Sequence, residues 1–223
     1  MGFIFRLFFN LILWGIGLIL LMSFVKAIFG AGSNSESRKA KSKAKLQETL
    51  DTLKEGLVPA EEDELRALSR KIQTNRVNKS INAGYFNTLF QEPVMAYAMT
   101  KESDSTLILA ETTDSQYYID YDGTNAKVFL RNKLIGTIDE EFQFYISEPK
   151  EVKAIIDVTS YPQYDVIKIA GEPTVYLNSD SKPNPSSHDR LFAMCNELET
   201  ADRDILMSLT LYYILIKTNN KKA

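Results

Sequence analysis

Cysteine and histidine are almost missing from this chain: its 223 residues include one of each, Cys195 and His188. A single cysteine excludes an internal disulfide framework, and with a single histidine it leaves no Cys/His set for a zinc site. A reducing compartment is compatible with that usage. There is no glycine-rich phosphate loop, no dinucleotide-binding fingerprint and no paired-cysteine spacing. Basic charge is also scarce where a polyanion binder needs it. Residues 77–223 hold 14 Lys or Arg against 21 Asp or Glu, a net −7 within an overall −3. Nucleic acid is therefore not an expected partner.

Charge is absent altogether from one stretch. Leu7 to Val25 reads LFFNLILWGIGLILLMSFV, and a helix of that length rises about 28 Å, close to the hydrocarbon thickness of a bilayer. Residues 1–30 are thus expected to be a transmembrane anchor, with the lipid bilayer as partner of residues 7–25. Arg6 precedes the run, whereas Lys26, Arg38, Lys39, Lys41, Lys43 and Lys45 follow it. The positive-inside rule then puts the N-terminus outside and the C-terminal domain in the cytoplasm. A cleaved secretory signal is the competing reading, with Gly30 and Gly32 as the small residues, but such signals carry their basic charge before the apolar run. The sequon Asn78-Lys79-Ser80 matters only in that case.

Residues 31–76 read as a linker and helical stalk. The run GAGSNSES is flexible in composition. Beyond it Leu46, Leu50, Leu53 and Leu57 recur at spacings of four, three and four, the pattern of a helical seam. These leucines either pack on the globular domain or mediate self-association. Pro59 ends that helix, and the acidic AEEDE opens a second one whose apolar face is Leu65, Leu68 and Ile72.

Residues 77–223 are expected to form a β-rich domain with a C-terminal helix. The runs VMAYAMT, TLILAET, QYYIDY, AKVFLR, KLIGTI, FQFYIS, VKAIIDVT, YDVIKIA and TVYL give about nine strands. Asp122-Gly123, Asn132-Lys133 and Gly171-Glu172-Pro173 separate neighbours, so an antiparallel meander follows. Asp189 to Leu198, with Leu191, Met194, Cys195 and Leu198 at helical spacing, predicts a helix. Within Ile205 to Ile216 only Ser208 and Thr210 are polar. A helix there has no wet side, yet about 18 Å is too short to span a bilayer. It needs burial by strands, which a closed antiparallel β-barrel wrapped around it supplies. The alternative for the same run is a strand.

The meander with GTNAKVFLRNKLIGTIDEE, the Gly-Glu-Pro turn and the apolar helix after DRD resembles the tubby-like superfamily, which includes tubby C-terminal domains, phospholipid scramblases and LURP-one-related proteins. The resemblance covers roughly residues 85 to 217 and implies a β-barrel threaded by a hydrophobic helix and a role at membranes. Tubby domains bind phosphoinositides through basic residues, whereas this domain is acidic. Scramblases of the family carry a C-terminal anchor or lipidated cysteines, whereas this chain has its apolar run at the other end and one cysteine.

Candidate chemistry gives way to simpler readings. His188 lies beside Ser186, Ser187 and Asp189, but contiguous residues do not converge as a triad must. Cys195 sits among apolar neighbours as a core filler. Asp120, Asp122 and Asn125 resemble the start of a calcium loop without the ligands that complete one. Asp139, Glu140 and Glu141 read as a solvated turn. No catalytic, cofactor-binding or metal residue is therefore expected, and no cofactor. The function expected is a membrane-tethered cytoplasmic binding or scaffold module without enzymatic activity, with an unidentified protein partner; a scramblase-type lipid-handling protein is the alternative.

Overall fold

Period-two alternation with both faces buried organises the centre of the domain. In Pro93–Lys101 (β3) and Thr106–Glu111 (β4), Met95, Tyr97, Ile108 and Ala110 enter one apolar cluster. Their neighbours Ala96, Ala98, Leu107 and Leu109 enter another on the opposite face. A sheet buried on both faces needs a layer on each. In the computed structural model, which describes residues 35–147, 151–178 and 189–217, both layers are helical.

The sheet has twelve strands in chain order, each antiparallel to the next. The other ten are Gln73–Arg76 (β1), Ile81–Asn87 (β2), Gln116–Tyr121 (β5), Ala126–Leu130 (β6), Lys133–Ile138 (β7), Gln143–Ile146 (β8), Glu151–Asp157 (β9), Asp165–Ile169 (β10), Glu172–Leu177 (β11) and Phe192–Cys195 (β12). Residues 35–51 are helical (α1), Glu62–Arg66 form a short helix (α2), and Thr200–Tyr212 (α3) continue into a π-helical turn, Tyr213–Lys217.

The final apolar element is a helix and not a strand. Leu206, Ser208, Leu209, Thr210 and Leu211 are completely buried, and Ile205, Met207, Tyr212 and Tyr213 nearly so. The apolar ones among them share one cluster with inward side chains from β2 through β12. Burying each leucine is worth about 2 kcal/mol. Ser208 donates to the Asp204 carbonyl at 2.7 Å, which satisfies a hydroxyl that would otherwise sit dry in the core.

The expected closed barrel is corrected: the sheet is open, because β1 and β12 do not pair. At one part of the seam, Ala67–Arg70 lies between the two flanks. Ser69 N donates to Asn87 O and Leu89 N to Ala67 O on one side, while Arg70 N donates to Asp189 O and Leu191 N to Leu68 O on the other. These bonds satisfy seam backbone groups without a β1–β12 ladder. Nearby, Gly84 permits β1 to cross closely: a Cβ there would lie 1.7 Å from the Gln73 carbonyl oxygen.

The second helix stops at Arg66, so its expected face is divided: Leu65 lies in α2, Leu68 in the seam and Ile72 just before β1. The helix expected over Asp189–Leu198 is strand β12. It pairs with β11, burying Phe192 and exposing Met194, so sheet pairing overrides the helical spacing. The two-residue turns fall one position earlier than expected, at Arg131-Asn132 and Ala170-Gly171. All four residues have positive φ, as type I′ hairpin turns require.

The chain divides into two compact units, Met1–Ser42 and Lys43–Ala223. The second takes in α1 from Lys43 onward, together with α2 and β1. Its Leu46 and Leu50 are fully buried on the outer face of the sheet, with Leu53 and Leu57 packed beside them. The seam leucines thus face the chain's own strands. No helix among the described residues is long and apolar enough to cross a membrane; the run 7–25 lies outside the described residues.

Candidate functional site

In an antiparallel meander every second turn falls at the same end of the sheet. The turns 102–105, 122–125 and 139–142, which follow β3, β5 and β7, therefore share one end. Together they carry Glu102, Asp104, Asp122, Asp139, Glu140 and Glu141, and no Lys or Arg.

Local chemistry shapes each turn. Glu102 N donates to Ser105 O at 2.8 Å. Asp122 Oδ1 accepts from Thr124 N at 2.9 Å and Asn125 N at 2.8 Å, while Gly123 takes φ +100°. Asp139 Oδ1 accepts from Glu141 N and Gln143 N at 3.0 and 2.9 Å, and its Oδ2 accepts from the Tyr145 hydroxyl at 3.0 Å. The calcium-like residues thus resolve into a turn cap, Asp122, with Asn125 closing the turn and Asp120 on β5.

Between the first two turns lies a groove of about 320 Å³, bounded by residues 101–106 and 121–123. That is the lower end of small-ligand sites, which start near 300 Å³. Register places Thr106 between Lys101 and Tyr121, so the groove spans the ends of β3, β4 and β5. Tyr121 forms one wall, held by its hydroxyl's bond to Gly123 O at 2.6 Å and by edge contact with Tyr212. Ser105, in the first turn, is only 8% exposed.

The field at this end is negative. Burial and the charges of Asp122 and Glu140 raise the Tyr121 phenol above its ordinary range. Burial pushes up Tyr212 as well, with Tyr121, Asp139, Asp122 and Glu140 adding to it.

Two other outward features stand apart. Tyr161 and Tyr164 each meet Tyr176 edge to face at 5.7 and 5.8 Å. Lys168 lies over Tyr161 and pairs with Asp157 at 2.7 Å. Phe90, in the β2–β3 turn at the opposite end, is 77% exposed.

The remaining sequence candidates are dispersed. Ser186, Ser187 and His188 lie outside the described residues; Asp189 Oδ2 accepts from Lys71 Nζ at 2.7 Å. Cys195 is half-buried on β12, and burial raises its thiol pKa, which disfavours a reactive thiolate. Among the described residues no group of three or more His, Cys, Asp or Glu is placed to hold a metal ion. Compared with family models, curated proteins and solved structures, the chain matches none.

Proposed function

We propose that this chain is a membrane-tethered binding module, held by residues 7–25 with its β domain in the cytoplasm, and that the acidic end of the sheet receives a positively charged partner. The observation that carries the reading is that three turns at one end of the sheet carry six carboxylates, of which Glu102, Asp104 and Asp122 line one groove. The uncharged N-terminal run followed by a basic flank supports the tether and its direction. The pattern resembling the tubby-like superfamily is consistent with work near a membrane. Its phosphoinositide chemistry does not transfer to an acidic surface.

The test is fractionation of the full chain bearing a C-terminal tag, followed by protease treatment of sealed inverted and right-side-out vesicles. The chain should resist extraction by alkaline carbonate and lose its tag only in the inverted vesicles. Recovery in the aqueous fraction would remove the tether. Rapid movement of labelled lipid between leaflets in reconstituted vesicles would favour the scramblase-type alternative instead.

A further inference from the structure

We infer that the free edge of β1 is a docking site for an extended acidic peptide, which adds to the sheet as a further strand. This goes beyond the proposed function, because the edge carries the opposite charge to the three acidic turns.

The edge follows from the ladder. Val77 N donates to Ile81 O at 3.0 Å. Bonded pairs alternate along an antiparallel ladder, so Asn75 with Ala83 and Gln73 with Tyr85 are bonded pairs too, while Thr74 with Gly84 and Arg76 with Asn82 are not. The main-chain N–H and C=O of Thr74 and Arg76 therefore point away from β2, to the side where β1 has no neighbouring strand. The segment Ala67–Arg70 fills the seam only as far as the Lys71–Asp189 pair. All four β1 residues are exposed, so nothing among the described residues covers them. The other edge differs, since α2 packs against β12. Unpaired edges are templates for main-chain pairing, and peptide recognition by strand addition uses them.

Charge selects the occupant. Between Glu64 and Glu92 the chain has no Asp or Glu, but it has Arg66, Arg70, Lys71, Arg76 and Lys79. Lys71 is matched by Asp189. At the far end of β1, Arg76 donates to two main-chain oxygens of its own turn, Asn78 O at 3.2 Å and Lys79 O at 3.0 Å. Neither Arg76 nor Lys79 forms an ion pair among the described residues. Val77, between them, is 53% exposed and adds an apolar contact. A second copy is disfavoured as occupant, because both edges would be basic and like charges across a strand pair are destabilising. A segment that alternates carboxylates with apolar residues meets the cations and Val77 while its main chain bonds to Thr74 and Arg76.

The test uses the full chain in phosphatidylcholine vesicles and follows, by anisotropy, a fluorescein-labelled peptide of alternating Glu and Val. The peptide should bind, and hydrogen exchange in segment 72–77 should slow when it does. Thr74→Pro removes an outward N–H at an edge position where proline is tolerated, and should weaken binding by about tenfold or more. Thr74→Val loses the hydroxyl that meets Tyr97 but keeps the N–H, and should bind as the unaltered chain does. Arg76→Gln with Lys79→Gln should weaken binding by roughly five- to tenfold and flatten its salt dependence. Far-UV circular dichroism and the unfolding midpoint report whether each variant is folded. Should Thr74→Pro unfold, the same peptide with every backbone nitrogen methylated decides: it keeps the carboxylates, cannot pair as a strand and should not bind.

Equal binding of the methylated peptide overturns the proposal, since that is attraction by charge alone. So does equal binding of a peptide of alternating Lys and Val, or an unchanged affinity in folded Thr74→Pro. Protection of segment 72–77 before any peptide is added also overturns it, because another copy or another part of the chain then holds the edge. Absence of binding to a chain that stays with the vesicles removes the site and leaves the tether and the acidic end standing.

Discussion

The two ends of the sheet use their charges differently. At the end where α3 begins, charged groups lock the helix into the strands: Tyr117 donates to Asp204 at 2.7 Å, Lys153 lies 3.6 Å from Asp202, and Arg203 donates to Ala60 O. There the β4–β5 and β6–β7 turns are tied together through Arg131 and Asp114 O. At the other end, three turns carry six carboxylates, and Glu102, Asp104 and Asp122 of the first two line a groove. One end uses its charges to hold the helix to the strands, and the other carries acidic residues on successive turns.

The helix common to both ends gives the largest effect by which this contrast can be tested. Leu209→Ala, at a completely buried position, should cost about 2–5 kcal/mol in denaturant unfolding. Because α3 reaches both ends, amide protection should fall in β5 and in the 139–142 turn together. Loss at one end alone would mean that the ends are independently stable. Next in size is Asp204→Ala, which strips the acceptor from a buried tyrosine hydroxyl and should cost about 1–3 kcal/mol. Asp204→Asn retains an acceptor and should recover part of that loss. Equal damage from both would show that the negative charge, and not the hydrogen bond, holds the helix start.

A smaller effect tests an ion pair at the acidic end itself. The hydrogen bond from Lys168, then those from Ser160, hold the Asp157 carboxyl well below its usual range. A depressed folded-state pKa gives stability that is present above the unfolded value, near 4, and is lost as pH falls through the folded one. Asp157→Asn should therefore shallow the acid limb of the stability curve below about pH 4. Thermal melts across that range measure it, and an unchanged limb would show the pair to be energetically silent.

Legibility in the sequence followed burial. The strands β3 to β11 could be read because their alternation or apolar content is strong, and the helix because Ile205 to Ile216 has no polar face. β1 was hidden since Gln73, Thr74, Asn75 and Arg76 are all exposed and carry no pattern. β12 was misread because Leu191, Met194, Cys195 and Leu198 satisfy a helical spacing that pairing with β11 overrode. Asp122 and Asp139 were each legible as turn residues, and that is what they are locally. What the sequence concealed was their convergence, which follows from topology. Reading alternate turns of a meander as one surface would have found it.

The smallest effect on stability is the sharpest test of the contrast. Neutralising Glu102, Asp104 and Glu140 as Gln, Asn and Gln should move unfolding free energy by no more than about 0.5 kcal/mol, since exposed charges contribute little. Any shift should be upward, from relieved repulsion. The same variant should slow association with a cationic peptide by about tenfold and reduce its salt dependence, because a convergent field steers encounter. Neutralising Glu92 and Asp114, turn carboxylates at the opposite end, supplies the control and should leave association unchanged. If both sets slow association equally, only total charge matters and the acidic end has no special standing. If the first set instead unfolds the domain, those carboxylates hold the structure as Asp204 does, and the distinction between the two ends fails at its root.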